Sequence, residues 1–227
     1  MYKYALIIGN SSGIGLGITE ALLRLGWRAD GISRSQSPLE KARYRHVQAG
    51  VQEERYPEIL TSMLEENGPP DLCIYCAGIG ERLDLKQMEA EIEIFEVNLL
   101  GMVRTAAVVI PAMVRRGSGH FIGLSSLADE MISAEAPSYH AAKAGFSNYL
   151  EGLALALKPS GVRITNLRFG FVDTKMAKGE VRPFMMPVER AVEHLLKCIE
   201  KKPARYTAPK LVIPLVKFRR WMLRLQL

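Results

Sequence analysis

The sequence predicts an α/β fold: a single domain built on a doubly wound parallel sheet with helices on both faces. Short apolar runs alternate with amphipathic stretches along most of the chain, and no long linker, repeat or low-complexity segment interrupts them. At 227 residues and 25.3 kDa, with 48% hydrophobic and 24% charged residues, the chain can bury one sizeable core and is too short for two full domains.

Tyr4–Ile8 is a short apolar run ended by Gly9, the pattern of a buried parallel strand. Ile14, Ile18, Ala21, Leu22 and Leu25 then recur at helical spacing, with Gly26 closing the helix. Arg28–Ser33 reads as a second strand, although Asp30 and Gly31 weaken its apolar pattern. Residues 46–49 read as a third strand and 56–66 as a helix. Leu72–Tyr75 is another buried strand, set between Pro69-Pro70 and Gly78. Residues 89–97 and 98–116 read as helices, the second apolar nearly all round and so packed on both sides. Residues 120–124 (strand), 138–158 (long helix) and 162–167 (strand) continue the alternation.

The formal charge of +6 and pI of about 9.3 belong to one end of the chain. Residues 1–200 carry 22 Lys/Arg against 24 Asp/Glu, whereas the last 27 residues carry eight basic groups and no acid. A nucleic-acid partner, which would need a basic stripe across a folded face, is therefore not expected. Three cysteines are too few and odd in number for a disulfide framework. No uncharged stretch reaches the ~18–20 residues that cross a bilayer, and the N-terminus lacks signal-peptide order. A reduced, cytoplasmic protein is expected. Cys73 and Cys76 are three apart in a strand and so point to opposite faces, and the four histidines lack ligand spacing, so no metal site is expected.

Gly9-Asn10-Ser11-Ser12-Gly13-Ile14-Gly15 joins the first strand to the first helix. Glycines there permit a tight turn and close approach of backbone to a pyrophosphate, whose charge meets the free N–H groups of the helix N-terminus. A tight turn with no ligand is the alternative reading. After the second strand stand Ser33-Arg34-Ser35, where a carboxylate would bind a ribose 2′-hydroxyl. Arg34 can pair with a 2′-phosphate, which favours NADP(H) and leaves NAD(H) as the alternative.

Tyr139 and Lys143 lie one helical turn apart, so the ammonium can favour ionisation of a phenol whose usual pKa is ~10. Ser126 lies 13 residues earlier, just past the predicted strand 120–124, where a hydroxyl can hold a substrate carbonyl. With the glycine turn, Ala77-Gly78, Asn98 in Asn98-Leu99-Leu100-Gly101, Ser125-Ser126 and the segment from Gly170 to Thr174, these residues fall in a recognisable order and spacing. The chain resembles the short-chain dehydrogenase/reductase family, in register from residue 4 to about 200.

The resemblance implies a Rossmann-like, NAD(P)-binding catalytic domain over residues 1–200. It also implies hydride transfer between a nicotinamide and a carbonyl or secondary alcohol. Tyr139 would be the general acid for reduction and the base for oxidation. Lys143 would hold the nicotinamide ribose, Ser126 would orient the substrate oxygen, and Asn98 would place its helix and a relay water. Cofactor contacts would come from Gly9, Ser11, Ser12, Gly13, Ile14, Gly15, Ser33, Arg34, Val51, Ala77, Gly78, Tyr139, Lys143, Gly170, Val172 and Thr174.

The sequence departs from the family pattern at Ile8, where a Thr is usual, at Tyr75-Cys76 in place of Asn-Asn, at Gly50 in place of Asp, and at Phe169 in place of Pro. These departures loosen the adenine side and keep open a second reading, a nucleotide-binding regulatory or scaffold protein with little turnover. Residues 176–186 occupy the place of a substrate loop, with Phe184, Met185 and Met186 forming either an apolar lid or core packing. The apolar helices 98–116 and 138–158 suggest a homodimer or homotetramer. Residues 201–227 form a basic, amphipathic segment, part of the same domain or a peripheral extension. Leu215, Phe218, Met222 and Leu225 recur at helical spacing there, with Lys217, Arg220 and Arg224 on another face. Such a helix suits a membrane surface, a partner subunit or the chain's own substrate cleft.

Overall fold

The computed structural model describes residues 3–177 and 184–224. Seven strands form one sheet: β1 (Tyr4–Ile8), β2 (Arg28–Ser33), β3 (Tyr44–Gln48), β4 (Leu72–Tyr75), β5 (Gly119–Ser126), β6 (Val162–Phe169) and β7 (Arg205–Ala208). All pairings are parallel, in the order β3-β2-β1-β4-β5-β6-β7. The order reverses at β1, so a crevice opens beyond the carboxyl ends of β1 and β4, the place where open α/β sheets bind ligands.

Strand alternation divides the core. Leu6 and Ile8 of β1 enter one apolar layer and Ala5 and Ile7 the other. On the first face lie α2 (Tyr56–Asn67), α4 (Gly101–Arg116) and α5 (Pro137–Ala156), contributing Leu60, Val109 and Phe146 to the layer. On the second lie α1 (Gly13–Arg24) and α6 (Val188–Lys201), contributing Leu22 and Leu195. The helical run Glu89–Arg116 is long and apolar enough to cross a membrane, but 56% of its apolar window is buried within the fold.

Several boundaries differ from the sequence expectation. β3 starts two residues earlier, at Tyr44. The predicted helices 89–97 and 98–116 form one run, α3 (Glu89–Phe95) passing into α4 through a π turn, Glu96–Leu100. β5 continues to Ser126, which is therefore the last residue of the strand and not beyond it. β6 likewise extends to Phe169. Both strands outlast their apolar runs because the polar residues Ser125, Ser126 and Arg168 find partners at their ends. Two elements, α6 and β7, stand where periodicity predicted none. β7 is only four residues long and lies within segment 201–227, where it adds the final strand to the sheet; α7 (Ile213–Arg224) follows it.

β2 forms despite Asp30 and Gly31 because both have specific partners. Asp30 is 1% exposed and accepts hydrogen bonds from the Tyr4 hydroxyl at 3.0 Å and Asn67 Nδ2 at 3.1 Å. Gly31 leaves room for Asn10, whose amide a Cβ at position 31 would overlap. Gly152 of α5 is the opposite case, with nothing within 4 Å of where a methyl group would stand. Gly31→Ala should cost roughly 1–3 kcal/mol through overpacking, whereas Gly152→Ala should stabilise by about 0.5–1 kcal/mol through backbone entropy. Urea unfolding of the two variants measures both.

Candidate active site

The site begins where β1 delivers its chain into the glycine turn. Gly9 (φ +87°) and Gly13 (φ +54°) occupy the left-handed region that glycine favours. A Cβ on Gly9 would lie 2.5 Å from the amide nitrogen of Ala77, so the turn packs directly on Ala77-Gly78 after β4. A Cβ on Gly15 would run into the Gly9 carbonyl. Ser12 is the N-cap of α1, but its side chain makes no capping hydrogen bond, which leaves the first N–H groups of the helix to other acceptors. Ser11, Ser12, Gly13 and Ile14 are part-exposed around this turn. Thr174 approaches from the far side, its Cγ2 3.2 Å from where a Gly13 Cβ would stand. A cradle of backbone amides at a helix N-terminus fits a pyrophosphate.

Ser33 is buried at the end of β2, and Arg34 reaches outward, its Nη1 3.5 Å from Glu93 Oε1. With side chains 65% and 48% exposed, that pair is weak and leaves the guanidinium able to exchange partners.

The other half of the site is built on β5, the π turn and α5. Pro137 opens α5, placing Tyr139 in its first turn and Lys143 one turn on. Lys143 is 5% exposed; its Nζ donates to the Leu124 carbonyl at 3.1 Å and lies 5.9 Å from the Tyr139 ring centre and 4.9 Å from that of Phe146. Burial lowers its pKa from 10.5 to about 8, against the opposing influence of Cys76 and Asp129. Asn98, fully buried in the π turn, clamps Ile79: its Oδ1 accepts from the Ile79 amide at 2.8 Å and its Nδ2 donates to the Ile79 carbonyl at 2.7 Å. The segment so held passes between the catalytic candidates. A Cβ on Gly78 would stand 3.2 Å from Asn98 Oδ1 and 3.8 Å from Lys143 Nζ, and one on Gly80 3.6 Å from the Tyr139 ring. Ser126 Oγ accepts from the Ala128 amide at 3.1 Å and so caps the 3₁₀ turn Leu127–Glu130.

Asn98, Tyr139 and Lys143 thus converge on the Gly78–Gly80 segment, the glycine turn reaches Ala77 from the β1 side, and Ser126 ends β5 two residues beyond the Leu124 carbonyl that holds Lys143. Gly170 lies farther along the same edge, beside Pro209 and Leu127. Val172 is buried and bridges to Met186. Val51 sits inside the first core layer, 5% exposed and packed where Gly101 leaves space, so its side chain faces the core. His140 donates from Nδ1 to the Ala136 carbonyl at 2.9 Å, while its ring meets Tyr139 edge-on at 5.8 Å. Phe184 is exposed and Met186 packs in the second core layer; residues 178–183 of the predicted substrate loop lie outside the described residues.

Sequence reasoning did not find the polar support behind Ser126. Arg168, 2% exposed on β6, forms a two-pronged pair with Asp129, Nε to Oδ2 and Nη2 to Oδ1 both at 2.6 Å. Ser147 donates to Asp129 and lies 2.7 Å from Ser125 Oγ. The available signal was a charged residue inside an otherwise apolar strand, which when buried needs a partner. Tyr75 was noted only as a departure from pattern; its hydroxyl donates to the Val97 carbonyl at 2.6 Å, next to Asn98.

A glycine cradle at the switch point of a parallel sheet, with a Ser, a Tyr and a Lys across the crevice, defines a dinucleotide-binding oxidoreductase. The chain belongs to the short-chain dehydrogenase/reductase family, whose short chain dehydrogenase profile matches residues 3–183. It is 32% identical to an uncharacterized oxidoreductase of Myxococcus xanthus, over 94% of this chain and 90% of that one. It is 29% identical to the 3-oxoacyl-(acyl-carrier-protein) reductase FabG of Vibrio cholerae, over 78% of this chain and 76% of that one. Among solved structures, a short chain dehydrogenase from Burkholderia cenocepacia in complex with NADP superposes with a TM-score of 0.86 at 24% identity, covering 99% of this chain and 97% of that one. The chain is accordingly an oxidoreductase of CH–OH and C=O groups.

Because Lys143 binds its proton less tightly in the folded protein than in the unfolded chain, its charge costs about 3 kcal/mol below pH 8. That cost is relieved as pH rises from 8 toward 10.5. Relative to Lys143→Met, the wild-type protein should therefore gain about 2 kcal/mol of unfolding free energy between roughly pH 7.5 and 9.5. Urea titrations at the two pH values measure this difference.

Proposed function

We propose that the chain is an NADP(H)-dependent dehydrogenase or reductase of a small carbonyl or secondary alcohol, with Tyr139 as general acid and base. The convergence of Asn98, Tyr139 and Lys143 on the Gly78–Gly80 segment carries this reading. The glycine cradle, Ala77-Gly78 and Thr174 would hold the dinucleotide, which when bound supplies the hydride donor or acceptor. Ser126 spends an acceptor lone pair on the Ala128 amide, so its hydroxyl hydrogen remains to meet a substrate oxygen. Tyr139 gives that oxygen a proton in reduction and takes it back in oxidation. Lys143 holds the cofactor ribose and favours the ionised phenol, and Asn98 fixes the backbone on which the crevice depends. Tyr139→Phe should lower turnover by about two to four orders of magnitude while leaving cofactor affinity within about threefold. Stopped-flow turnover and fluorescence titration measure the two; retained turnover would defeat the assignment.

Arg34 and the Ser35 hydroxyl favour NADP(H) over NAD(H), and the NADP complex of the Burkholderia relative supports the same choice. The competing reading is a nucleotide-binding scaffold, favoured by the altered adenine-side residues at Ile8, Gly50 and Tyr75. Oxidation of NADPH, with NADH as control, across a panel of carbonyls separates the two readings, because a scaffold would turn over neither.

We further infer a cytoplasmic homo-oligomer built on α4 and α5, in keeping with three free cysteines. α7 packs on the 3₁₀ turn after Ser126 and buries Val216, yet leaves Leu215, Phe218, Trp221 and Met222 between 41% and 60% exposed; Leu225 lies outside the described residues. With the basic charge of the same segment, this face suits contact with an anionic membrane surface. Sedimentation with phosphatidylglycerol vesicles should be lost in Leu215→Gln/Phe218→Gln; a change in oligomer mass instead would assign the face to a second subunit.

A further inference from the structure

β3 presents Tyr44, His46 and Gln48 at alternate positions, hence on one face of the strand. All three reach toward the loop that follows β2. Gln48 Nε2 donates to the Arg34 carbonyl at 3.0 Å. His46 Nε2 lies 3.2 Å from the Ser35 carbonyl, and because a carbonyl only accepts, Nε2 carries the hydrogen. The other nitrogen of the neutral ring, Nδ1, then accepts from the Tyr44 hydroxyl at 3.1 Å. The same hydroxyl oxygen accepts from Asn10 Nδ2 at 2.5 Å. Asn10 is fully buried in the glycine turn, and Ser33 Oγ, 3.4 Å from its Oδ1, donates to the Ser35 carbonyl at 2.9 Å.

One donor order satisfies these contacts, with Ser37 a further partner of the Tyr44 hydroxyl. An amide N–H of the turn donates to Tyr44, Tyr44 to His46, and His46 to the loop that carries Arg34 and Ser35. Burial keeps the His46 pKa below its usual range, in accord with the neutral ring that this order requires.

We propose that Tyr44, His46 and Gln48 are positioning residues that set cofactor affinity and phosphate discrimination by fixing the Ser33–Arg34–Ser35 loop relative to the glycine turn. The proposal rests on the reading of that turn as a dinucleotide cradle. Among the described residues, the Arg34 side chain meets an exposed Glu93 in a weak pair, while its carbonyl and that of Ser35 are both held from β3. Releasing the carbonyls would let the guanidinium swing away from any phosphate it faces. The effect would fall on the adenosine end, while Tyr139 and Lys143 stand across the crevice on α5.

The test uses the full chain with His46→Leu, His46→Gln and Arg34→Ala, titrated with NADPH and NADH by nucleotide fluorescence and assayed for turnover. His46→Leu should raise Kd and KM for NADPH about five- to tenfold, with kcat at saturation within about twofold and NADH affected less. His46→Gln, whose amide can still donate to the Ser35 carbonyl, should recover most of the loss. Arg34→Ala should weaken NADPH at least as much. NADPH affinity unchanged in His46→Leu, or equal losses for both nucleotides with no recovery in His46→Gln, would overturn the proposal. If the wild-type chain binds neither nucleotide, the cradle reading fails and takes the proposal with it. Wild-type binding with indifferent β3 variants would sink the proposal alone.

Discussion

An ammonium held out of water at the carboxyl end of a parallel sheet constrains everything near it. Lys143 is buried, its charge is costly there, and one carbonyl, that of Leu124, accepts its hydrogen bond. Leu124 lies two residues before Ser126 on β5, so one strand end supplies both the carbonyl that anchors the ammonium and the hydroxyl beside the crevice. Tyr139 rides on the same helix one turn away. A one-residue slip of α5 would rotate both side chains by about 100° and leave the ammonium without its carbonyl. The alignment of β5 with α5 is therefore fixed by electrostatics as well as by apolar packing.

That alignment is secured from behind. Arg168 and Asp129 are both almost wholly buried, and their pairing ties the turn after Ser126 to β6. Ser147 joins α5 to the same carboxylate and to Ser125. Breaking such a pair on one side strands the other charge, which makes it an effective lock on geometry even where its net contribution to stability is small. On the other side of the crevice the lock is Asn98, whose paired bonds to Ile79 need the widened π turn to bring its side chain to that backbone. π turns recur at functional sites because the extra residue redirects a side chain without ending the helix.

The central strands were legible in the sequence because each depends on local pattern, whereas the weight given to Ser126, Tyr139 and Lys143 came from the family resemblance. β1, β2 and β4 lie where their runs place them, and the helical spacing of Tyr139 and Lys143 is a property of one segment. What escaped depends on residues far apart in the chain. Gly31 looked like a weak point in a strand, and only the side chain of Asn10, 21 positions earlier, explains it. β7 has four residues, Arg205 among them, and acquires its identity from pairing with β6. Ser126 was placed beyond its strand because apolar periodicity stops at Leu124, while the ladder to β6 continues through Ser126 to Phe169. The side chain of Val51 likewise turns into the core, into the volume that Gly101, 50 positions later, leaves open.

The departures from the family pattern redistribute the bracing of the crevice. Tyr75 replaces an amide, and its long side chain crosses the core to donate to Val97, beside Asn98, through space that Gly101 leaves open. The Asn98–Lys143 side of the crevice therefore hangs on β4 and β5, central strands paired on both edges. Ile8 removes a hydroxyl from the glycine turn, and the turn's buried side-chain tie is instead made by Asn10 to Tyr44 on β3. β3 is an edge strand, bonded on one side only and only partly buried. Edge elements with exposed hydrogen bonds open at lower free energy than central ones. The side-chain tie of the glycine turn is consequently anchored to the softer side of the sheet, and the Tyr139–Lys143 side of the crevice to the stiffer one.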